Sequence, residues 1–264
     1  MLCSCSALPR PGPDLHKRVN PGMEAKALLT QAAKASGDPW QRCQRVEMQL
    51  SGEWCGIVER LQPGLVDSGF RKRSTEVYEP QLGGVTQRHT GPLGTKEVIR
   101  RGREIVVRVN GERVEDAEKK ASAALVADAY GLFGFGASWL LAKGDDFQVI
   151  GNKRFADEPC WLISTELMPG FGESEKDWVI AWIGVHTKRL HRVQMTLFGL
   201  DSTAGADVDV VFGEWFSGPH GTEWAGHYVE HVQRPILTKA HEWRLEALQV
   251  QLNQGAVPGD RAKR

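Results

Sequence analysis

A chain of 264 residues, 41% hydrophobic and 25% charged, has the composition of a globular protein and is long enough for one large all-β domain or two small ones. Thirty-three basic residues balance thirty-three acidic ones, so no global field draws it to nucleic acid or to an anionic membrane. Basic residues do cluster locally at Arg71-Lys72-Arg73 and at Arg100, Arg101 and Arg103; these runs read as solvated strand faces or as a small anionic-headgroup site.

The first 22 residues mix prolines with charges where a signal peptide needs an apolar run, and read as a disordered extension preceding an alternative start at Met23. With no 18-residue apolar run in the chain, no membrane-spanning segment is predicted. The compartment expected is cytoplasmic, or periplasmic if the chain starts elsewhere.

Residues 24–36 favour helix, with Leu28, Leu29, Ala32 and Ala33 on one stripe, and Gly37-Asp38-Pro39 ends it. Alternation predicts strands over 45–50 (Val46, Met48 and Leu50 inward), 70–78, 96–102 and 103–109. Asn110-Gly111 tolerates two positive φ angles and predicts a type I′ hairpin. Asp116 can cap a second helix running to about Tyr130. The stretch 130–141 then interleaves Gly131, Gly134 and Gly136 with Leu132, Phe133, Phe135 and Trp139. It reads as a packed loop or as a mobile apolar lid.

Strands resume over 147–150, 160–167, 178–185, 190–198 and 208–216. The segment 178–185 is apolar on both faces, with Trp178, Ile180 and Trp182 on one and Val179, Ala181 and Ile183 on the other. Such a strand must be covered on both sides or line a cavity. Residues 219–234 read as irregular or edge-like, 242–252 as a closing element, and 254–264 as a flexible tail. Residues 23–253 are thus expected to form one domain.

Five cysteines at 3, 5, 43, 55 and 160 show no metal-like spacing and read as free thiols, with a Cys43–Cys55 bridge as the alternative.

The helix ending in Gly37-Asp38-Pro39-Trp40, the strand pair 178–183 and 190–195, and the following 208–212 resemble the LolA/LolB-like superfamily of lipoprotein carriers. The closing stretch from Trp224 to Arg234-Pro235 resembles a recurring part of bacterial proteins of this broad type. The resemblance implies an unclosed β-barrel capped by helices. It carries no functional motif onto a named residue here, and carriers of that family are exported, whereas this chain displays no export signal.

The fold class expected is α+β, mainly β: a curved antiparallel half-barrel with the N-terminal and mid-chain helices in its concave face. The leading functional reading is a non-enzymatic carrier or binding protein for a lipid or acyl chain, without cofactor or nucleic-acid partner. Its expected ligand contacts are Trp178, Ile180, Trp182, Leu132, Phe133, Phe135, Trp139 and Trp215. A rival is an enzyme using the same cavity with His227, His231 and Glu230 in acid–base or metal roles; His220, His227 and His231, with Glu223 and Glu230 nearby, are the candidate metal ligands. A third reading is a module that recruits a partner strand to its sheet edge.

Overall fold

The computed structural model describes residues 8–16, 24–62, 65, 67–203, 206–235 and 237–253. The tail expected over 254–264, Cys3 and Cys5 lie outside the described residues. The helices are α1 (Pro13–His16), α2 (Ala25–Ala35), α3 (Pro39–Arg42), α4 (Gly56–Leu61) and α5 (Ala117–Lys143). The first half of the sheet comprises β1 (Cys43–Trp54), β2 (Arg73–Glu79), β3 (Gly84–Gly91), β4 (Gly94–Arg101), β5 (Glu104–Val109) and β6 (Glu112–Arg113). The second half comprises β7 (Gly144–Phe155), β8 (Glu158–Leu167), β9 (Asp177–Gly184), β10 (Leu190–Thr196), β11 (Asp207–Ser217), β12 (Glu223–Arg234) and β13 (Thr238–Leu252).

These strands make one antiparallel sheet in the order β6-β5-β4-β3-β2-β1-β13-β12-β11-β10-β9-β8-β7. Every neighbour is the next strand in sequence except at β1–β13, where the last strand zips onto the first from Cys43↔Leu252 to Trp54↔His241. That long-range pairing joins the two halves. The sheet ends at β6 on one side and β7 on the other, so the barrel is unclosed, as expected.

The hairpin at Asn110-Gly111 forms with φ of 51° and 87°, joining β5 to β6. Asp116 caps α5 by accepting a hydrogen bond from the Lys119 N–H at 2.9 Å. Helix α5 is apolar on all sides rather than along one stripe, which is the pattern of an element buried all round. It is long and apolar enough to cross a membrane by length and composition, yet 78% of its apolar window is buried inside the protein, as in a core helix.

Three expectations need correction. The stretch 130–141 is neither loop nor lid but the second half of α5, broken only at Gly136 (φ 54°, ψ −126°). Its glycines provide close approach: a Cβ at Gly131 would meet the Trp139 indole nitrogen at 2.8 Å, and one at Gly134 would meet the Met48 methyl at 3.0 Å. Residues 219–234, expected to be irregular, supply β12, an interior strand between β11 and β13. Its polar residues had masked the alternation that sets Trp224 and Tyr228 inward. Cys43 and Cys55 are free, at opposite ends of β1, so the alternative of a bridge is also overturned.

Strand β9 is buried at every position. Val179, Ala181 and Ile183 face the helices and join the main core. Ile180 and Trp182 face the other way and pack with Cys160 and Leu162 under Leu8 and Leu15 of the N-terminal segment. The two-sided strand is therefore covered twice, by helix within and by residues 8–16 without. His16 anchors that outer cover, hydrogen-bonded to Ser164 Oγ at 2.9 Å and Asp146 Oδ2 at 3.0 Å. Gln194 reinforces it, donating to the Pro9 carbonyl at 2.6 Å while accepting from the Trp182 indole at 2.8 Å.

Candidate functional site: an apolar cavity with a buried polar end

A cavity of about 290 Å³ lies between α5 and the inner face of the sheet. Helix α5 contributes Leu125, Val126, Ala129, Tyr130 and Phe133, and the sheet contributes Met195, Val208, Val232 and Ala240. Alternation puts these strand residues on the concave face, and the small Ala129 leaves room beside the helix. Trp54, Val58 and Leu61 bring the end of β1 and helix α4 to the rim, where Leu61 is 65% exposed. The lining is overwhelmingly apolar, with Glu230 its one charged member.

Glu230 marks the point where the wall changes character. Its carboxylate pairs with Nε2 of the fully buried His241, whose ring lies 4.2 Å from Trp54 and stacks 5.9 Å from Tyr130. Burial pulls the His241 pKa below the ordinary imidazole value even against the opposing pull of Glu230. Behind Tyr130 lies Arg71, its guanidinium 4.1 Å from the Tyr130 ring centre and 5.0 Å from that of Trp243.

Arg71 belongs to a buried polar cluster on β2, β3 and β4. The cluster takes Ser74, Glu76 and Tyr78 from β2, Gln87 and His89 from β3, and Lys96 from β4; Val85, Val98 and Arg100 are buried on the same faces of the last two strands. Register sets Glu76 opposite Gln87, Ser74 opposite His89, and His89 opposite Lys96. Glu76 accepts from Arg71 at 3.2 Å, from Ser74 at 2.9 Å and from Tyr78 at 2.5 Å. Lys96 pairs with Asp67. Burial pushes His89 far below its ordinary pKa, and the nearby Arg71 and Lys96 push it further. The concave face is thus divided: apolar over β9 to β11, ionic over β2 to β4.

The residues expected to contact ligand fall into separate places. Phe133 lines the cavity. Phe133, Phe135 and Trp215 also border a small pocket of about 30 Å³ next to Trp224. Leu132 is fully buried in the main core, and Trp139 stacks on Phe171 at 6.0 Å. Trp178, Ile180 and Trp182 lie on the convex side beneath the N-terminal segment, Trp178 5.0 Å from the His16 ring.

The histidines weighed as metal ligands are also dispersed. His220 lies in the turn before β12, and His227 bonds Glu242 at 2.7 Å. Glu230 partners His241 rather than His227 or His231. Among the described residues, the three metal-capable side chains whose ligand atoms lie within 4.8 Å of one another are His16, Asp146 and Glu166, on the outer face. Arg71, expected in a basic run read as a solvated strand face or an anionic-headgroup site, is buried, and its partners Glu76, His89 and His241 escaped the sequence reading. The available signal was a run of polar residues at alternate positions of β2 and β3.

No family model and no curated protein matches the sequence. Solved structures do. A LolA superfamily protein from Nitrosomonas europaea superposes with a TM-score of 0.50 at 10% identity, over 87% of this chain and 94% of that one. A DUF1329 family protein from Desulfovibrio piger gives 0.49 at 11% identity, over 88% and 95%. At such identities the likeness speaks of backbone architecture. In fold, this chain is LolA-like.

Proposed function

We propose that this protein is a non-enzymatic carrier or binding protein that holds an apolar ligand, such as a lipid acyl chain, between α5 and the concave face of its sheet. The observation that carries this reading is the cavity of about 290 Å³ with an almost wholly apolar wall. Pockets for small ligands are typically ~300 Å³ and upward, mostly apolar with a few placed polar groups. Each buried methylene would contribute ~0.8 kcal/mol, so an acyl chain binds there without catalytic residues. The LolA-like fold supports the same reading, because the sequence resemblance is to lipoprotein carriers.

Entry fits the α4 side, where Leu61 and Gln62 border the cavity and Ile57 and Leu61 are exposed. The test is native mass spectrometry of the purified protein, followed by titration with an environment-sensitive fatty probe. Co-purified lipid, or probe binding that shifts tryptophan emission, is the expected result. A folded protein that retains no lipid and binds no apolar probe would overturn the proposal.

A further inference from the structure

The inner polar cluster is more heavily built than stability requires. Replacing a buried ion pair by apolar groups of similar volume is often neutral or stabilising, so such a pair is weak evidence for stability alone. Here the pair is also incompletely satisfied. Arg71 donates through Nη2 to Glu76, while its Nε and Nη1 have no hydrogen-bond partner in the protein. The indole nitrogens of Trp54 and Trp243, the amide nitrogen and oxygen of Gln87, and His89 Nε2 are buried in the same condition.

These groups share one neighbourhood. Trp243 lies under the Arg71 guanidinium, Gln87 stands opposite Glu76, and Trp54 contacts His241. Their chemistry is lopsided. Arg71 Nε and Nη1, Trp54 Nε1, Trp243 Nε1 and Gln87 Nε2 are donors; only Gln87 Oε1 and His89 Nε2 can accept. Buried donors without acceptors are costly in a folded protein and recur where a ligand supplies the missing oxygens. Arg71 is held in its charged form: burial opposes the charge, but the groups around it, Tyr130 and Glu76 first among them, outweigh burial and raise its pKa.

The position suits a headgroup. Trp54 lines the apolar cavity and also a polar hollow of about 430 Å³ bordered by the cations Arg71 and Lys72 and by the carboxylates Glu53, Glu59 and Asp67, the last of them paired with Lys96. Tyr130 lines the cavity and receives Arg71 on its ring face. We infer that the polar hollow at Arg71, which shares Trp54 with the cavity, seats the anionic headgroup, a carboxylate or phosphate, of an amphiphile whose chain occupies the apolar cavity. Arg71 would offer Nε–H on one edge of its guanidinium and Nη1–H on another, each to one acid oxygen, while Nη2 stays on Glu76. The inference rests on the reading of the cavity as an apolar-ligand site and adds the polar half of that ligand.

The experiment compares oleate, oleyl phosphate and methyl oleate, titrated into the full chain at about pH 8, where the acid is ionised, with tryptophan emission as the readout. At least one of the two anions is expected to bind about tenfold more tightly than the ester, and which one does so identifies the headgroup. Equal binding of acid, phosphate and ester overturns the headgroup seat and leaves the carrier reading standing. Binding of none of them overturns the carrier reading itself. In Arg71→Met the anion should fall to the affinity of the ester, whose own binding stays unchanged; an undiminished anion preference would overturn the assignment to Arg71. Should Arg71→Met unfold, the neutral pair Arg71→Met with Glu76→Gln is read by the same criterion, and the comparison of ligands on the native chain needs no variant.

Discussion

The guanidinium of Arg71 lies 4.1 Å from the ring centre of Tyr130, and through that ring an ionic cluster on one half of the barrel abuts an apolar cavity on the other. The two halves meet because β13 closes onto β1, bringing Trp243 and His241 beside residues that precede β2.

Arg71→Met should be strongly destabilising, by about 3–5 kcal/mol, because it strands the Glu76 carboxylate in a site with no exposed side-chain surface. Arg71→Met combined with Glu76→Gln should recover most of that loss. Urea unfolding of both variants checks it; a double variant as unstable as the single one would show that packing of Arg71 on Tyr130 and Trp243, rather than charge pairing, dominates.

Ala129 faces the cavity from α5. Ala129→Phe should therefore place a ring in existing space, costing less than about 1.5 kcal/mol of stability. Binding of an apolar probe should weaken by about tenfold or more, since the ring displaces several methylene contacts of ~0.8 kcal/mol each. Unchanged probe affinity in a folded Ala129→Phe protein would place the ligand elsewhere.

Gly136 breaks α5 at φ 54°, ψ −126°, a conformation open to glycine and strained for other residues. A Cβ there would meet Leu190 at 3.4 Å, an ordinary contact, so the cost of Gly136→Ala is backbone strain of about 1–3 kcal/mol. Thermal unfolding measures it. Gly134→Val should also destabilise, for a different reason: its Cβ would press on the Met48 side chain, and truncating Met48 should relieve it.

Glu158 accepts the N–H groups of His186 and Thr187, the Thr187 hydroxyl and a contact from His191. Burial alone would raise its pKa, but these hydrogen bonds outweigh burial and bring it down to about 2 from 4.5. A carboxylate depressed in the folded state stabilises above its unfolded value, and that stability is lost as pH falls from about 4.5 to about 2. Glu158→Gln should be less stable than the native protein at neutral pH and should flatten the acid limb within that window. Parallel stability–pH curves for the two proteins would exclude the role given to Glu158.

Much of the frame is legible in the amino-acid order because it rests on local periodicity. Trp178 to Ile183 announces a strand covered on both faces, Asn110-Gly111 a hairpin, and Asp116 a helix start; each depends on residues close in the chain. The glycines of 130–141 mislead for a physical reason. Glycine lowers helix propensity in isolation, yet a crowded core selects it where Trp139 and Met48 leave no room for a Cβ. The phase of β2 is equally hidden. Hydrophobicity favours Val77 as an inward residue, whereas the fold turns Ser74, Glu76 and Tyr78 inward because Arg71, His89 and Phe135 wait there to meet them. Arg71 precedes the strand and reaches Trp243 across 172 positions of sequence, so no local pattern can report their contact. Alternation by itself determined a curved antiparallel sheet around apolar helices. Only the closure of β13 on β1 decided where the charges would be buried, because burying them needs partners drawn from distant parts of the chain.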